Sequence, residues 1–275
     1  MTRYKTEIMG ILNITPDSFY DGGRYFNLRE ALRRAEQLVS EGADIIDVGG
    51  ESTRPGSRPI KPEEEVSRVI PVVKEIKKKF PSVKISVDSY KYEVIEKALD
   101  SGVDIVNDIY ALRYSSEVVN LLKKFPSTKV IIMHMKGTPE NMQVNPYYDD
   151  VVDEIKSFFC ERVNFLENCG ISLSRVIIDP GIGFGKTTQH NLEILRKIKE
   201  FGCIADRKFP VLVGLSMKSF IGRVLGSEEN PLPVEKRFTG TVILHTYLLL
   251  KKVDIIRSHD ISHIVEAKKI LSKLD

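Results

Sequence analysis

Seven times along this chain a short apolar run ends abruptly on polar residues, and this recurrence limits the fold more than any other feature. The clearest instance is RVIIDPGIGFGKT, residues 175–187. Val176, Ile177 and Ile178 follow one another without polar alternation, as in a strand buried on both faces. Asp179 stands at the carboxyl end of that strand, and Pro180, Gly181, Gly183 and Gly185 then describe a loop whose backbone can approach a ligand closely. GADIIDVGGESTRPG, KISVDSY, GVDIVNDIY, KVIIMHMKG, PVLVGLSMKS and VDIIRSHD repeat the event. Polar groups gathered at the carboxyl ends of parallel strands are where α/β folds, and (β/α)8 barrels above all, place their chemistry.

Between these runs the pattern switches to helical spacing. Strands are expected over residues 7–13, 43–48, 84–87, 103–106, 129–133, 176–178, 211–213 and 254–256. Helices are expected over 28–40, from Pro62 to about Phe80, over 94–100 and 117–124, from beyond the loop 135–150 to about Asn168, and from about Leu192. Gly42 lies just past the first helix, where a left-handed residue often ends one. Pro62 suits a first helical position, and the three glutamates behind it with lysines at the far end suit the macrodipole. Eight strands with eight crossovers predict an α/β fold, a closed (β/α)8 TIM barrel, as a single domain over residues 1–275. An open doubly wound sheet is the competing topology, but it wants more polar edge strands.

Composition narrows the function classes. Charged residues make up 29% and hydrophobic ones 42% of 275 residues, an ordinary globular mixture. A net charge of +3 gives no nucleic-acid footprint and agrees with a small anionic ligand. Cys160, Cys169 and Cys203 are odd in number and form no CxxC pair, which argues against a disulfide framework or structural zinc. The simplest setting is a reducing cytoplasm. MGILNI is too short for a signal-peptide core, and the apolar stretch around VILHTYLLL, interrupted by His245, is too short to span a bilayer.

Each strand-end residue has a bland reading. Asp88 and Ser89 could cap a helix, and Asn13, Asn107 and Asp108 could bond their own turns. Lys218 could be a solvated helix charge, and His259 the first turn of a helix. His134, His190, His245 and His263 are more often core or surface groups than ligands. Against this stands convergence: in a barrel, Asn13, Asp47, Asp88, Asn107, His134, Asp179, Lys218 and Arg257 would all reach one mouth. One or two caps are expected there; eight are not.

MGILNITPDSFYDGG, DIIDVGGESTRPGS, MHMKGTP, DPGIGFGKT, VGLSMKSFIG and RSHD, in this order, resemble the dihydropteroate synthases, folate-pathway members of the pterin-binding barrel family. The resemblance runs from Ile8 to His259. It implies a transferase that joins 6-hydroxymethyl-7,8-dihydropterin diphosphate to p-aminobenzoate, uses Mg²⁺, works as a cytoplasmic homodimer and is a sulfonamide target. It implies pterin contacts from Asp88, Asn107, Asp179 and Lys218, and diphosphate contacts from Asn13, Arg257 and His259, with the side-chain oxygen of Asn13 as the metal ligand. It further implies a p-aminobenzoate pocket from Thr53, Pro55, Phe184 and Ser219, a first loop carrying Asp17, Ser18 and Asp21, and catalytic roles for Lys218, Asp88 and Arg54. Diphosphate is expected to leave before the arylamine attacks, with p-aminobenzoate binding second. Two places depart from the family pattern: Met217 stands where arginine usually precedes the motif lysine, and NDIYAL replaces an NDVSG-like segment. Methyltetrahydrofolate:corrinoid methyltransferases, a non-catalytic pterin-binding paralogue, and a barrel enzyme for another phosphorylated metabolite are the alternatives.

Overall fold

The structure is a computed structural model and describes residues 5–15, 28–53 and 56–274. Eight parallel strands alternate with helices. They are β1 (Glu7–Asn13), α1 (Leu28–Glu41), β2 (Ile45–Gly49), α2 (Pro62–Lys79), β3 (Lys84–Asp88), α3 (Tyr92–Asp100), β4 (Ile105–Asp108), α4 (Val118–Lys124), β5 (Lys129–Met133), α5 (Val151–Asn168), β6 (Val176–Asp179) and α6 (Thr188–Arg196). A short antiparallel hairpin, β7 (Cys203–Ile204) and β8 (Arg207–Lys208), precedes β9 (Leu212–Gly214), α7 (Ser219–Leu225), α8 (Phe238–Leu250), β10 (Ile255–Ser258) and α9 (Ser262–Leu274).

The hydrogen-bonded order β6-β5-β4-β3-β2-β1-β10-β9 leaves β6 and β9 as its ends. A parallel bridge between Ile178 and Val211, with the Ile178 N–H donating to the Pro210 carbonyl at 2.9 Å, closes the ring. Closure removes the free edges that an open sheet would have to protect, so every strand can be apolar on both faces. The barrel forecast from the alternating runs is the barrel observed.

Two local departures from the sequence reading have physical causes. The β7–β8 hairpin turns on Ala205 and Asp206, at φ 48° and 61°, the left-handed pair that a two-residue hairpin requires. Four strand residues give too short a pattern to be seen. Helix α6 starts at Thr188 rather than near Leu192, because Thr187 Oγ1 accepts the His190 N–H while His190 Nδ1 accepts the Thr187 N–H, both at 3.2 Å. This is a capping box with histidine in the usual glutamate position.

The barrel interior explains where chemistry becomes possible. Met9, Ile45, Ile105, Ile131, Ile177, Leu212 and Ile255 form an apolar cluster of their own, one residue from each of seven strands. Side chains two residues apart on a strand face the same way. The next inward position is therefore Asp47 on β2, Asn107 on β4, Asp179 on β6 and Arg257 on β10. An apolar plug thus floors the barrel, and a polar layer lies directly above it, toward the carboxyl ends of the strands.

Candidate active site

Arg257 is the hub of that polar layer. Its Nε donates to Asp47 Oδ2 and its Nη2 to Asp88 Oδ2, both at 2.6 Å. Asp47 Oδ2 also accepts from Asn107 Nδ2 at 3.1 Å, so strands β4, β2, β10 and β3 are tied through one guanidinium. Asp47 has no exposed surface, and its Oδ1 has no hydrogen-bond partner among the described residues. Burial pushes Asp88 up to about 7 against the opposing pull of Arg257. Burial works against the charge on Arg257, but Asp47 and Asp88 outweigh it and hold the guanidinium above its ordinary range. The layer therefore holds its charges as a mutually dependent set.

The facing wall is built by the glycine-rich loop after β6. Asp179 Oδ1 accepts the Gly181 N–H at 2.8 Å, and burial raises the Asp179 carboxyl while Lys218 and Arg257 oppose that rise. Gly181 has φ 68°, and a Cβ there would lie 2.0 Å from the His134 carbonyl oxygen, so the loop after β6 rests directly on the loop after β5. Gly183, at φ 81°, leaves room for the Lys218 stem, which a Cβ would meet at 2.9 Å. Lys218 threads past it to donate to the Ile182 carbonyl, with its ammonium 4.5 Å from the centre of the Phe184 ring. Burial lowers Lys218 to about 8, with Asp179 holding it up. Lys218 is thus a half-buried group of the mouth, bonded to the loop after β6, and not a solvated helix charge.

Four successive carbonyls of this loop are each met by a side chain: Ile182 by Lys218, Gly183 by Gln143, Phe184 by Lys186 and Gly185 by Tyr148. Lys186 is 1% exposed and bonds the Phe184 carbonyl at 2.9 Å, the His134 carbonyl at 3.3 Å and His134 Nδ1 at 3.0 Å. Burial drives both Lys186 and His134 well below their ordinary ranges. Sequence reasoning passed over Lys186, because a lysine after a glycine run reads as solvated.

The remaining expected site residues are placed around these two walls. Asn13 ends β1 in register with Gly49, and Asp88 pairs in register with both Gly49 and Asn107. His259 follows β10, its N–H and Nδ1 lying 3.5 and 3.3 Å from Ser216 Oγ. Phe184 packs against Tyr90, Ile109, Met133, Met135 and Met142, an apolar flank of the mouth. Ser219 is the first residue of α7, and Thr53 lies in the loop after β2. Asp17, Ser18, Asp21, Arg54 and Pro55 lie outside the described residues. Asp108, beside Asn107, is a turn residue as the bland reading has it: it is fully buried and accepts the Tyr110 and Leu112 N–H groups at 2.7 and 2.9 Å. Met217, where arginine is usual, adopts φ 59°; its N–H donates to Thr241 Oγ1 and its carbonyl accepts from Arg237.

Comparison with known proteins agrees with this geometry. The sequence matches the pterin binding enzyme family over residues 9–259. The dihydropteroate synthase of Haemophilus influenzae is 42% identical over 264 residues, covering 96% of this chain and 92% of that protein. The Yersinia pestis dihydropteroate synthase, solved with a sulfonamide drug, superposes with a TM-score of 0.88 at 39% identity, covering 98% of this chain and 94% of the other. The Xanthomonas albilineans dihydropteroate synthase, solved with 4-aminobenzoic acid, gives 0.88 at 37% identity, with 98% and 93% covered. With the family matched over residues 9–259 and relatives 37–42% identical over nearly the whole chain, the chain belongs to the pterin-binding enzyme family and, within it, to the dihydropteroate synthases, transferases of folate synthesis.

Proposed function

We propose that this mouth condenses 6-hydroxymethyl-7,8-dihydropterin diphosphate with p-aminobenzoate by letting diphosphate leave before the arylamine arrives. The observation that carries the reading is the polar layer of Asp47, Asn107, Arg257 and Asp88 facing the wall of Asp179 and Lys218 above a dry plug. A pterin edge alternates N–H donors with acceptors, and Asp88, Asn107 and Asp179 supply the matching partners at depth. Lys218 serves the acceptor side of the ring. The bond between the pterin methylene and the diphosphate oxygen breaks, its electron pair leaving with diphosphate. The arylamine nitrogen then forms the new C–N bond and gives up one proton. Exclusion of water matters because water would also capture the methylene cation.

The diphosphate would lie toward Asn13, Arg257 and His259. Arg257 offers it a guanidinium already fixed in direction by Asp47 and Asp88. Asn13 offers one amide oxygen, and a single protein oxygen completed by diphosphate and water suits magnesium. Magnesium held there would neutralise charge on the departing group. Phe184 and Ser219, with Thr53, Arg54 and Pro55 of the loop after β2, form the p-aminobenzoate side. Asp17, Ser18 and Asp21, by the family resemblance, contribute to the same site.

The expected setting is a cytoplasmic homodimer. No helix among the described residues is long and apolar enough to cross a membrane. Helix α8 is largely apolar yet exposes Phe238, Ile243 and Leu250, as α7 exposes Val224 and Leu225, and these uncovered side chains support pairing with a second copy. The function is tested by diphosphate release from the pterin diphosphate: release that depends on p-aminobenzoate is expected. Methyl transfer to a corrinoid, or binding without turnover, would overturn it.

A further inference from the structure

A buried ion cluster outside the two walls holds the base of the loop after β2. The Lys91 ammonium has three acceptors, one for each proton: Glu51 Oε2 and Glu65 Oε2 at 2.6 Å, and the Ile60 carbonyl at 2.8 Å. Glu51 in turn accepts the Ile60 N–H on Oε2 and the Tyr90 hydroxyl on Oε1, both at 2.8 Å. The side chains of Lys91, Glu51 and Glu65 are 5%, 8% and 1% exposed. Glu51 and Ile60 are the two feet of one loop, nine residues apart, and both close on the same ammonium. Arg68 of α2 adds a bond to the Gly50 carbonyl at 2.9 Å, and further along the loop the Gly56 N–H reaches the Pro139 carbonyl at 3.1 Å.

Taking two carboxylates and an ammonium out of water costs most of what their attraction returns, so such a cluster adds little net stability over apolar packing of the same volume. What it does add is direction: each bond fixes one atom of a foot. Tyr90 extends that frame into the mouth, with its ring edge-on to Tyr110 and Tyr114 at 4.8 and 4.6 Å, in the same cluster that flanks Phe184. Thr53 lies between the feet, on the segment that the proposed function assigns to p-aminobenzoate. Lys91 itself lies three residues past Asp88 and bonds none of the residues of the polar layer among its three acceptors.

We propose that Lys91 is a positioning residue that clamps the two feet of the loop 51–60 and so presents Thr53 to the second substrate. The clamp stands on the geometry alone, and its consequence for p-aminobenzoate rests on the function proposed above. Lys91→Met removes the three bonds while keeping the stem. Hydrogen–deuterium exchange of the variant should show residues 52–60 exchanging about tenfold faster or more, with β3 and β4 unchanged. In steady-state kinetics the KM for p-aminobenzoate should rise about tenfold, while that for the pterin diphosphate stays within about threefold. Unchanged exchange in 52–60 would overturn the clamp even in a protein with no synthase activity, whereas loss of p-aminobenzoate-dependent diphosphate release in the unaltered protein would overturn only the function. Accelerated exchange with both KM values rising together would show a merely structural role. Should Lys91→Met not fold, Tyr90→Phe removes one bond to the Glu51 foot, and a selective rise of about twofold or more in the p-aminobenzoate KM is expected, no rise overturning the proposal.

Discussion

Replacing Arg257 by methionine tests whether the polar layer depends on one cation. The substitution keeps most of the stem and removes the Nε bond to Asp47 and the Nη2 bond to Asp88, both 2.6 Å long. Breaking a buried ion pair from one side costs about 3–5 kcal/mol, because the remaining charge is left uncompensated. A fifth of the Arg257 side chain is still exposed, at 21%, so the lower end applies, about 3 kcal/mol. In a chain of this size each kcal/mol shifts the midpoint by about 2–4 °C, so calorimetry at pH 7 should find unfolding about 6–12 °C earlier. The pH dependence carries the sharper test. Asp88 is already raised to about 7 with the arginine present, and without the arginine's opposing pull it rises further. A group raised on folding contributes stability below its unfolded pKa, about 4 for Asp, and loses that contribution as pH rises through the folded value. The deficit of the variant should therefore shrink between pH 7 and pH 5. An equal deficit at both values, or none at pH 7, would refute the account of Arg257 as the hub.

Three further outcomes are expected. Asp179→Asn removes an acceptor from the pterin and leaves a buried donor unpaired, so calorimetry should find the pterin bound more weakly by about 1–3 kcal/mol; unchanged affinity would make Asp179 a loop residue only. Lys218 is lowered to about 8, so its charge is lost as pH rises through that value, and affinity for the anionic pterin diphosphate should fall between pH 7 and 9. Lys218→Met should abolish that fall, and persistence of the fall in the variant would assign it elsewhere. Titration of p-aminobenzoate should show tight binding only when diphosphate and magnesium are present, whereas equal binding without them would mean that the pocket is preformed.

The barrel was legible because its strands are buried on both faces, and such strands announce themselves as unbroken β-branched runs. Residues 7–13 were read with the boundaries that β1 has, since the run starts after Thr6 and stops at the polar Asn13. The hairpin at Cys203–Ile204 and Arg207–Lys208 was not legible, since its strands have two residues each and no periodicity to read. Helix α2 was read correctly in place and wrongly in part of its meaning. Glu63, Glu64 and Glu65 look alike as first-turn acids, but Glu65 is turned inward onto Lys91. The macrodipole accounts for all three equally, so sequence alone could not separate the one that holds the loop.

The polar layer was visible as strand-end residues, but its depth follows from an arithmetic that the strand-end rule does not use. Ile45, Ile105, Ile177 and Ile255 belong to the plug, and Asp47, Asn107, Asp179 and Arg257 stand two residues beyond them on the same face. A period of two therefore separates residues that point into the barrel from those that only end a strand. Applied to VND on β4, it sends Asn107 inward and Asp108 outward, which is the division observed: Asn107 bonds Asp47, while Asp108 bonds its own turn. Lys186 obeys no such arithmetic. Its three acceptors come from Phe184, two residues away, and from the main chain and ring of His134, 52 residues away, and a contact of that separation exists only once β5 and β6 are in register. Residues fixed by one strand's own periodicity can be read before folding, and residues fixed by two loops meeting cannot, which is why the walls of this site were legible and the lysines that hold its loops were not.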